Sequence, residues 1–220
     1  MAFLHGVEVI EIDAGPRPIQ TVKSSVIGIV GTAPDADPDA FPLNTPVLVA
    51  GSRKEAADLD TVGTALGTLP AAMDGIFDQI GAVVIVVRVE EGATEAESLA
   101  NVIGGVNAVD GNFEGVHALV GAESVVGFSP RILIAPGFTH QRPEGNANPV
   151  VAELQGIGDR LRAVIIADGP NTNDADAITA AGDFGSDRIY LIDPWHKVMV
   201  GSDIVSVPAS SRVAGLIAKV

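Results

Sequence analysis

A chain of 220 residues is long enough to bury roughly 70% of the surface it exposes when unfolded, as one large or two small domains. Its formal net charge of -15 disfavours direct nucleic-acid binding, and its lack of cysteine excludes disulfides and thiolate metal sites. Hydrophobic residues reach 47% while charged residues make up only 19%, so some apolar surface is expected to meet other chains.

The N-terminus and the apolar runs indicate whether the chain carries a signal peptide or a membrane-spanning segment. Residues 1–5 carry no basic stretch and lead at once into acidic residues, which is atypical of a signal peptide. The longest strongly apolar run, 81–87, is far shorter than the roughly 20 residues needed to span a bilayer. We therefore expect a soluble chain with no membrane contact, assembled in a reducing cytoplasm.

The first predicted strand stands apart from the rest of the chain. Residues Gly15, Pro16 and Pro18 separate it from the later segments, since they resist helix and favour an extended backbone. Fully extended, residues 1–13 could reach roughly 40 Å. One interpretation is a strand donated to the sheet edge of a neighbour, and the other is an edge strand of the chain's own sheet. The strand residues are Val7, Glu8, Val9, Ile10, Glu11 and Ile12.

From residue 25 onward, short β-branched runs alternate with segments of helical period, which is typical of an α/β fold. The pattern predicts a mostly parallel sheet with helices on both faces, over residues 20–220, preceded by an extended β arm at 1–19. The predicted strands are 26–30, 47–50, 83–89, 131–135, 164–167 and 189–192. The predicted helices are 52–59, 66–80, 94–103, 115–122, 149–161, 174–184 and 210–218.

The motifs of common enzyme classes are missing. The glycines at 28–31 follow a strand without forming GxGxxG, and no phosphate loop or GxSxG elbow occurs. The four histidines are scattered singly, and the acidic run 35–39 lacks the glycine and glutamate of a calcium loop. We therefore predict no catalytic residue, no cofactor and no metal.

Two turns at the carboxyl ends of strands are the best candidates for a ligand site, because open α/β sheets often bind ligands there. They are the turn 168–171, which begins with Asp168, and the turn 193–196, which begins with Asp193. The alternative to a functional site is plain turn chemistry, with Trp195 packing against the domain or a neighbour. An α/β ligand-binding domain or enzyme with a site near Asp168 and Asp193 is thus the second hypothesis.

The order of the segments resembles that of a known family. They are HGVEV at 5–9, SVIGIVGTA at 25–33, FPLNTPVL at 41–48, VIVVRVEEG at 84–92, PRILIAPG at 130–137, LRA at 161–163, DGPN at 168–171, FGSDR at 184–188 and DP at 193–194. Together they resemble the contractile tail sheath proteins of temperate myophages and R-type pyocins. Such proteins continue well beyond the segment 214–216 into a C-terminal domain, so the chain resembles an N-terminal fragment.

The resemblance implies a structural, non-enzymatic subunit that polymerises helically around a tail tube and contracts to drive the tube through the target cell envelope, as in viral genome ejection. Its implied partners are other sheath subunits, the tail tube, mainly through the C-terminal region, and the baseplate, with no direct nucleic acid and no membrane. Its implied place is a virion tail or phage-tail-like particle assembled in the bacterial host cytoplasm. The inter-subunit arm would be Val7 to Ile12, and the hinge would be Gly6, Gly15, Pro16 and Pro18.

The two hypotheses predict different surfaces at the carboxyl end of the sheet. An enzyme would show a pocket with convergent polar groups near Asp168 and Asp193. A sheath body would show no such pocket and would expose an apolar edge instead.

Overall fold

The structure is a computed structural model that describes residues 25–200 and 202–219. Its main feature is a six-stranded sheet with the strand order β2-β3-β1-β6-β7-β8. The strands of this sheet are β1 (Ile27–Thr32), β2 (Pro46–Ala50), β3 (Val83–Val89), β6 (Ile132–Ile134), β7 (Val164–Asp168) and β8 (Ile189–Ile192). All neighbouring pairs are parallel except β2 with β3, which is antiparallel.

Two antiparallel hairpins lie outside this sheet. One joins β4 (Gly105–Val106) to β5 (Phe113–Glu114), and the other joins β9 (His196–Val200) to β10 (Asp203–Val207). The sequence pattern predicted neither. The β9–β10 hairpin carries apolar residues on both faces, so it lacks the one-sided alternation of a half-buried strand.

Helices cover both faces of the sheet, as predicted. The helices are α1 (Leu69–Phe77), α2 (Glu95–Ile103), α3 (Ala122–Val126), α4 (Pro149–Leu161), α5 (Asp174–Gly182) and α6 (Ser210–Ala218). Among the described residues, none is long and apolar enough to cross a membrane. The predicted α/β class with a mostly parallel sheet is confirmed, whereas the predicted arm, residues 1–19, lies outside the described residues.

The core forms two layers because strand side chains alternate between the faces. Ile27 and Ile29 of β1 pack on the side of α1 and α6. Val26 and Val30 pack on the opposite side, with α2, α4 and the 3-10 turn Gly115–Gly121. Burial on both faces explains why the strands of the sheet are near-continuous apolar runs.

Helices α1 and α6 touch closely through glycines. A Cβ added to Gly75 would lie 2.6 Å from Ser211 Oγ, and one added to Gly215 would lie 2.9 Å from the carbonyl oxygen of Ile76. Larger residues at these positions would push the helices apart. The two glycines therefore allow α6 to pack closely against α1.

Several helix boundaries follow from local chemistry. Thr94 accepts from Glu97 N while the Glu97 carboxylate accepts from Thr94 N, which forms the capping box that starts α2. Asn148 and Pro149 start α4, and Arg162 in the left-handed region ends it.

Three helix predictions need correction. The predicted helix 52–59 contains only the 3-10 turn Ala57–Leu59, since Leu59 is its one buried residue and an isolated short helix is marginal in water. The predicted helix 66–80 shortens to Leu69–Phe77, with Pro70 in its first turn. The predicted helix 115–122 is the 3-10 turn Gly115–Gly121, which leads into α3.

Two asparagine caps provide a matched test of this packing. Asn148 Oδ1 accepts from Val151 N at 3.0 Å, and its Nδ2 also donates to the carbonyl oxygens of Phe138 and Gln141 at 3.0 and 2.9 Å. Asn173 forms the equivalent cap to Asp176 N at 3.0 Å, but it is exposed. We expect Asn148→Ala to lower the free energy of unfolding by about 2–4 kcal/mol and Asn173→Ala by about 0.5–1 kcal/mol. Equal losses in urea denaturation would contradict the bridging role of Asn148.

Candidate functional site

The carboxylate of Asp168 ends β7 and is fully buried. Its Oδ1 accepts from Ser210 N at 2.8 Å, and its Oδ2 accepts from Ser210 Oγ at 2.6 Å. Because Ala209, at the start of α6, has no capping side chain, Asp168 satisfies the first N–H groups of that helix from 42 residues away. Asp168 N donates to Thr139 Oγ1 at 2.9 Å. One residue thus joins β7, α6 and the loop after β6.

The environment of Asp168 affects its ionisation. Burial raises the pKa of the Asp168 carboxyl, and the hydrogen bonds from Ser210 partly oppose that increase. Burial lowers the pKa of nearby His140, while the charges of Asp168 and Glu95 act in the opposite direction. Burying the Asp168 carboxyl therefore costs free energy, and its hydrogen bonds offset part of that cost.

A second set of bonds connects the turn 168–171 with the turn 193–195. Gly169 N donates to the carbonyl oxygen of Ile192 at 2.7 Å, and Asn171 N donates to Asp193 Oδ1 at 2.7 Å. Trp195 Nε1 donates to the carbonyl oxygen of Gly169 at 2.9 Å. Any Cβ at Gly169 would lie 2.6 Å from Asp193 Oδ1, so only glycine fits there. We call residues 168–171, 193–195 and Ser210 the clasp.

The clasp holds both ends of the β9–β10 hairpin. The hairpin leaves the body just after Trp195 and returns just before Ser210, and both residues bond to the turn 168–171. The edge of the His140 ring meets the Trp195 ring, with their centroids 4.9 Å apart and an interplanar angle of 86°. The direction of the hairpin is therefore set by a few residues at the carboxyl end of the sheet.

A cleft of about 730 Å³ lies between the hairpin and helices α1 and α6. Its lining is mostly apolar, with Trp195, Val198 and Val207 on the hairpin side. Four charged residues at its rim pair with one another. Arg53 bonds Asp74 at 2.9 Å and Asp78 at 2.5 Å, and Arg212 bonds Asp78 at 2.7 Å.

Among the described residues, the β9–β10 hairpin and a groove at the other end of the sheet each expose apolar side chains. On the hairpin, Met199 is 72% exposed and Ile204 is 70% exposed. A second surface is a groove of about 450 Å³ beside β2, β5 and α3. Its larger apolar members are Leu43, Pro46, Phe113 and Val125, and Asp110 and Glu114 also line it. The name hairpin refers from here on to the β9–β10 hairpin, and the name groove refers to this second surface.

The sequence predictions for this region were partly right. The structure brings the turns that begin at Asp168 and Asp193 together, and it confirms that Trp195 packs against the domain. Turn chemistry alone was an incomplete explanation of Asp168, whose side chain caps α6. Two features of the sequence could have indicated this role of Asp168. A carboxylate ends an apolar strand, and Ser210 and Ser211 begin a helix that has no capping residue of its own.

A cleft lies near the carboxyl end of the sheet, but neither Asp168 nor Asp193 lines it, and its lining is mainly apolar. It is therefore not the pocket with convergent polar groups that an enzyme was expected to show. Exposed apolar side chains are present on the hairpin, outside the six-stranded sheet. The arm residues Val7 to Ile12 and the hinge residues Gly6, Gly15, Pro16 and Pro18 lie outside the described residues. Within the described part of the chain, no cluster of three metal-ligating side chains occurs.

Comparison with known sequences shows that the chain is similar to tail sheath proteins. Residues 24–89 match the family described as tail sheath protein Gp18 domain III N-terminal region. The chain is 37% identical over 221 residues to a putative prophage major tail sheath protein of Pseudomonas aeruginosa strain UCBPP-PA14, covering 99% of the chain and 54% of that relative. It is 34% identical over 230 residues to the tail sheath protein of Escherichia phage P2, with the same coverage. The chain spans about half the length of these relatives.

Solved structures show the same fold. The helical sheath of the anti-feeding prophage in its contracted state superimposes with a TM-score of 0.54 at 16% identity, over 98% of this chain and 53% of that one. The sheath complex of an extracellular contractile injection system, also contracted, gives 0.58 at 12% identity, over 99% and 50%. The sequence relatives confirm the resemblance stated from the order of the segments, and these structures share the fold of the chain.

Removing the Asp168 carboxylate tests the clasp. We expect Asp168→Ala to lower the free energy of unfolding by about 2–4 kcal/mol, because buried donors of Ser210 lose their acceptor. Asp168→Asn keeps an acceptor oxygen and should lose less. Chemical denaturation measures both, with the exposed Asp39→Ala as the control. A loss in Asp168→Ala no larger than that of the control would contradict this role.

The pH dependence of stability provides a second test. Because the pKa of Asp168 in the folded state is raised above 3.8, its usual value, the folded protein binds this proton more readily than the unfolded chain. Its stabilising contribution is complete below the unfolded pKa and is lost as the pH rises through the folded pKa. The stability of the wild type relative to Asp168→Asn should therefore increase from pH 7 to pH 4 in urea titrations. A decrease would mean that the folded pKa is depressed.

Proposed function

We propose that this chain, which aligns with tail sheath proteins over 99% of its residues, forms the body of a subunit of a contractile tail sheath. That alignment is the observation that carries the proposal. The subunits polymerise helically around the tail tube, and the change from an extended to a contracted lattice drives the tube through the target cell envelope. The role is mechanical and needs no catalytic group.

The described residues supply what such a body requires. A subunit that moves in a lattice must keep its own shape while its contacts rearrange. Two apolar layers, one on each face of the sheet, support that rigidity. The exposed apolar residues of the hairpin and the groove offer surfaces that other copies can cover.

We propose that the strand Val7 to Ile12 acts as the connection between subunits. Main-chain hydrogen bonds from a donated strand hold neighbours together while their bodies rotate, with Gly6, Gly15, Pro16 and Pro18 as the hinge. Within the described residues, β2 and β8 each pair on one side only, so each leaves an edge to which a strand can add. The complete subunit would also contact the tail tube and the baseplate.

Within the described residues, the cleft is an observation that favours a ligand-binding function. Its charged groups are paired with each other, and the carboxylate of Asp168 is buried away from it. A ligand would therefore find a mainly apolar surface and few free polar partners. This arrangement supports the structural function over the enzymatic one.

Proline substitutions in the arm test the proposal. In a complete sheath protein, Val9→Pro with Ile10→Pro should abolish sheath tubes in negative-stain electron microscopy, because proline removes two N–H donors from the strand. The control replaces both residues with threonine, which keeps the donors and the strand propensity. Unchanged circular dichroism would show that the body still folds. Normal tubes from the proline variant would refute the arm assignment.

A further inference from the structure

The hairpin presents one face that is apolar and also basic. Met199 lies opposite Ile204, and Lys197 lies opposite Ser206, so these four side chains share a face. Met199 and Ile204 are both about 70% exposed. Met199 also borders the cleft between the hairpin and the body, and the clasp anchors both ends of the hairpin.

The groove has a mixed lining that combines apolar side chains with polar groups and two carboxylates. Phe113 and Val125 are 37% and 58% exposed and line it together with Leu43. Asp110 and Glu114 also line it, and Glu114 Oε1 accepts a hydrogen bond from Asn107 Nδ2 at 2.8 Å. Its volume of about 450 Å³ leaves room for the side chains of a cross-strand pair.

The two surfaces lie on opposite sides of the same molecule. The hairpin leaves from the β7–β8 end of the sheet and covers the face of α1 and α6. The groove lies at the β2 end and against the turn Gly115–Gly121, which packs on the other face. Two different surfaces at opposite ends are what a head-to-tail contact requires, and such contacts generate open helical polymers.

We propose that the Met199–Ile204 face of the hairpin seats in the groove of a second copy of this chain, with Lys197 beside Asp110 and Glu114. This contact rests on the proposed function, since it identifies the surfaces through which bodies meet in the sheath. It is distinct from the arm, because it joins residues of the folded body only.

Charge favours a second copy placed in this orientation. The chain has 28 acidic and 13 basic residues, so two copies repel unless a cation meets an anionic site. Lys197 supplies that cation on the hairpin, and the groove supplies the carboxylates. Contact between two hairpins would instead bring two Lys197 ammonium groups together, which costs free energy.

Disulfide trapping tests the contact directly, because the chain has no cysteine of its own. Met199→Cys and Val125→Cys chains, differently tagged and mixed under mild oxidation, should form a mixed dimer. The control pairs Met199→Cys with Ile178→Cys, since Ile178 on α5 is also 72% exposed but lies outside the groove. We expect the Val125 pair to cross-link about tenfold faster, as proximity raises the effective thiol concentration. Equal rates, or faster coupling of Met199→Cys to itself, would overturn the proposal.

A charge exchange gives a second readout on the same contact. Lys197→Glu should slow cross-linking of the Val125 pair about two- to fivefold, as expected for a charge at the rim of an interface. Adding Glu114→Lys to the Val125→Cys chain should restore the rate. If Lys197→Glu leaves the cross-linking rate unchanged, the Lys197 charge has no role in the contact.

The outcome is separable from that of the proposed function. Tubes formed by a complete sheath protein, without selective cross-linking here, would leave the sheath function intact and exclude this contact. Selective cross-linking without tubes would establish the contact and refute the sheath function.

Discussion

The buried carboxylate of Asp168 is the interaction on which the arrangement of this molecule depends. Placing it in the interior is costly, and the hydrogen bonds from Ser210 offset that cost only when α6 begins at the correct point. The close approach of Gly75 and Gly215 brings α6 to that point by packing it against α1. The hydrogen bonds between Asp168 and Ser210 and the packing of α6 on α1 therefore specify the same position of α6. If either interaction were lost, the other would be strained.

The clasp extends this constraint to the hairpin. A two-stranded ribbon is at best marginally stable by itself, so its orientation depends on the residues at its ends. Trp195 and Ser210 fix those ends to one short turn, and Gly169 lets the turn approach Asp193. The hairpin can thus be exposed and apolar while remaining part of the rigid body.

The sequence predicted those parts of the structure whose determinants are local. Each strand of the main sheet is a short apolar run between turn residues, and α4 is bounded by Asn148 and Arg162. The role of Asp168 was not predictable in this way, because its partner Ser210 is 42 residues distant. The hairpin was missed for a different reason. Its strands do not bury one face in their own domain, so the alternation that identifies strands is absent.

The strong negative charge limits how copies of this body can associate. At physiological salt the repulsion between acidic surfaces is screened beyond roughly 8 Å, so only groups near the contact influence its energy. Burying exposed apolar side chains such as Met199 and Phe113 acts at that short range and supplies affinity. A charge such as Lys197 then contributes mainly by disfavouring the wrong alignments. In the proposed contact, separating these two effects would allow an acidic chain to remain dispersed at low concentration and still associate in one register.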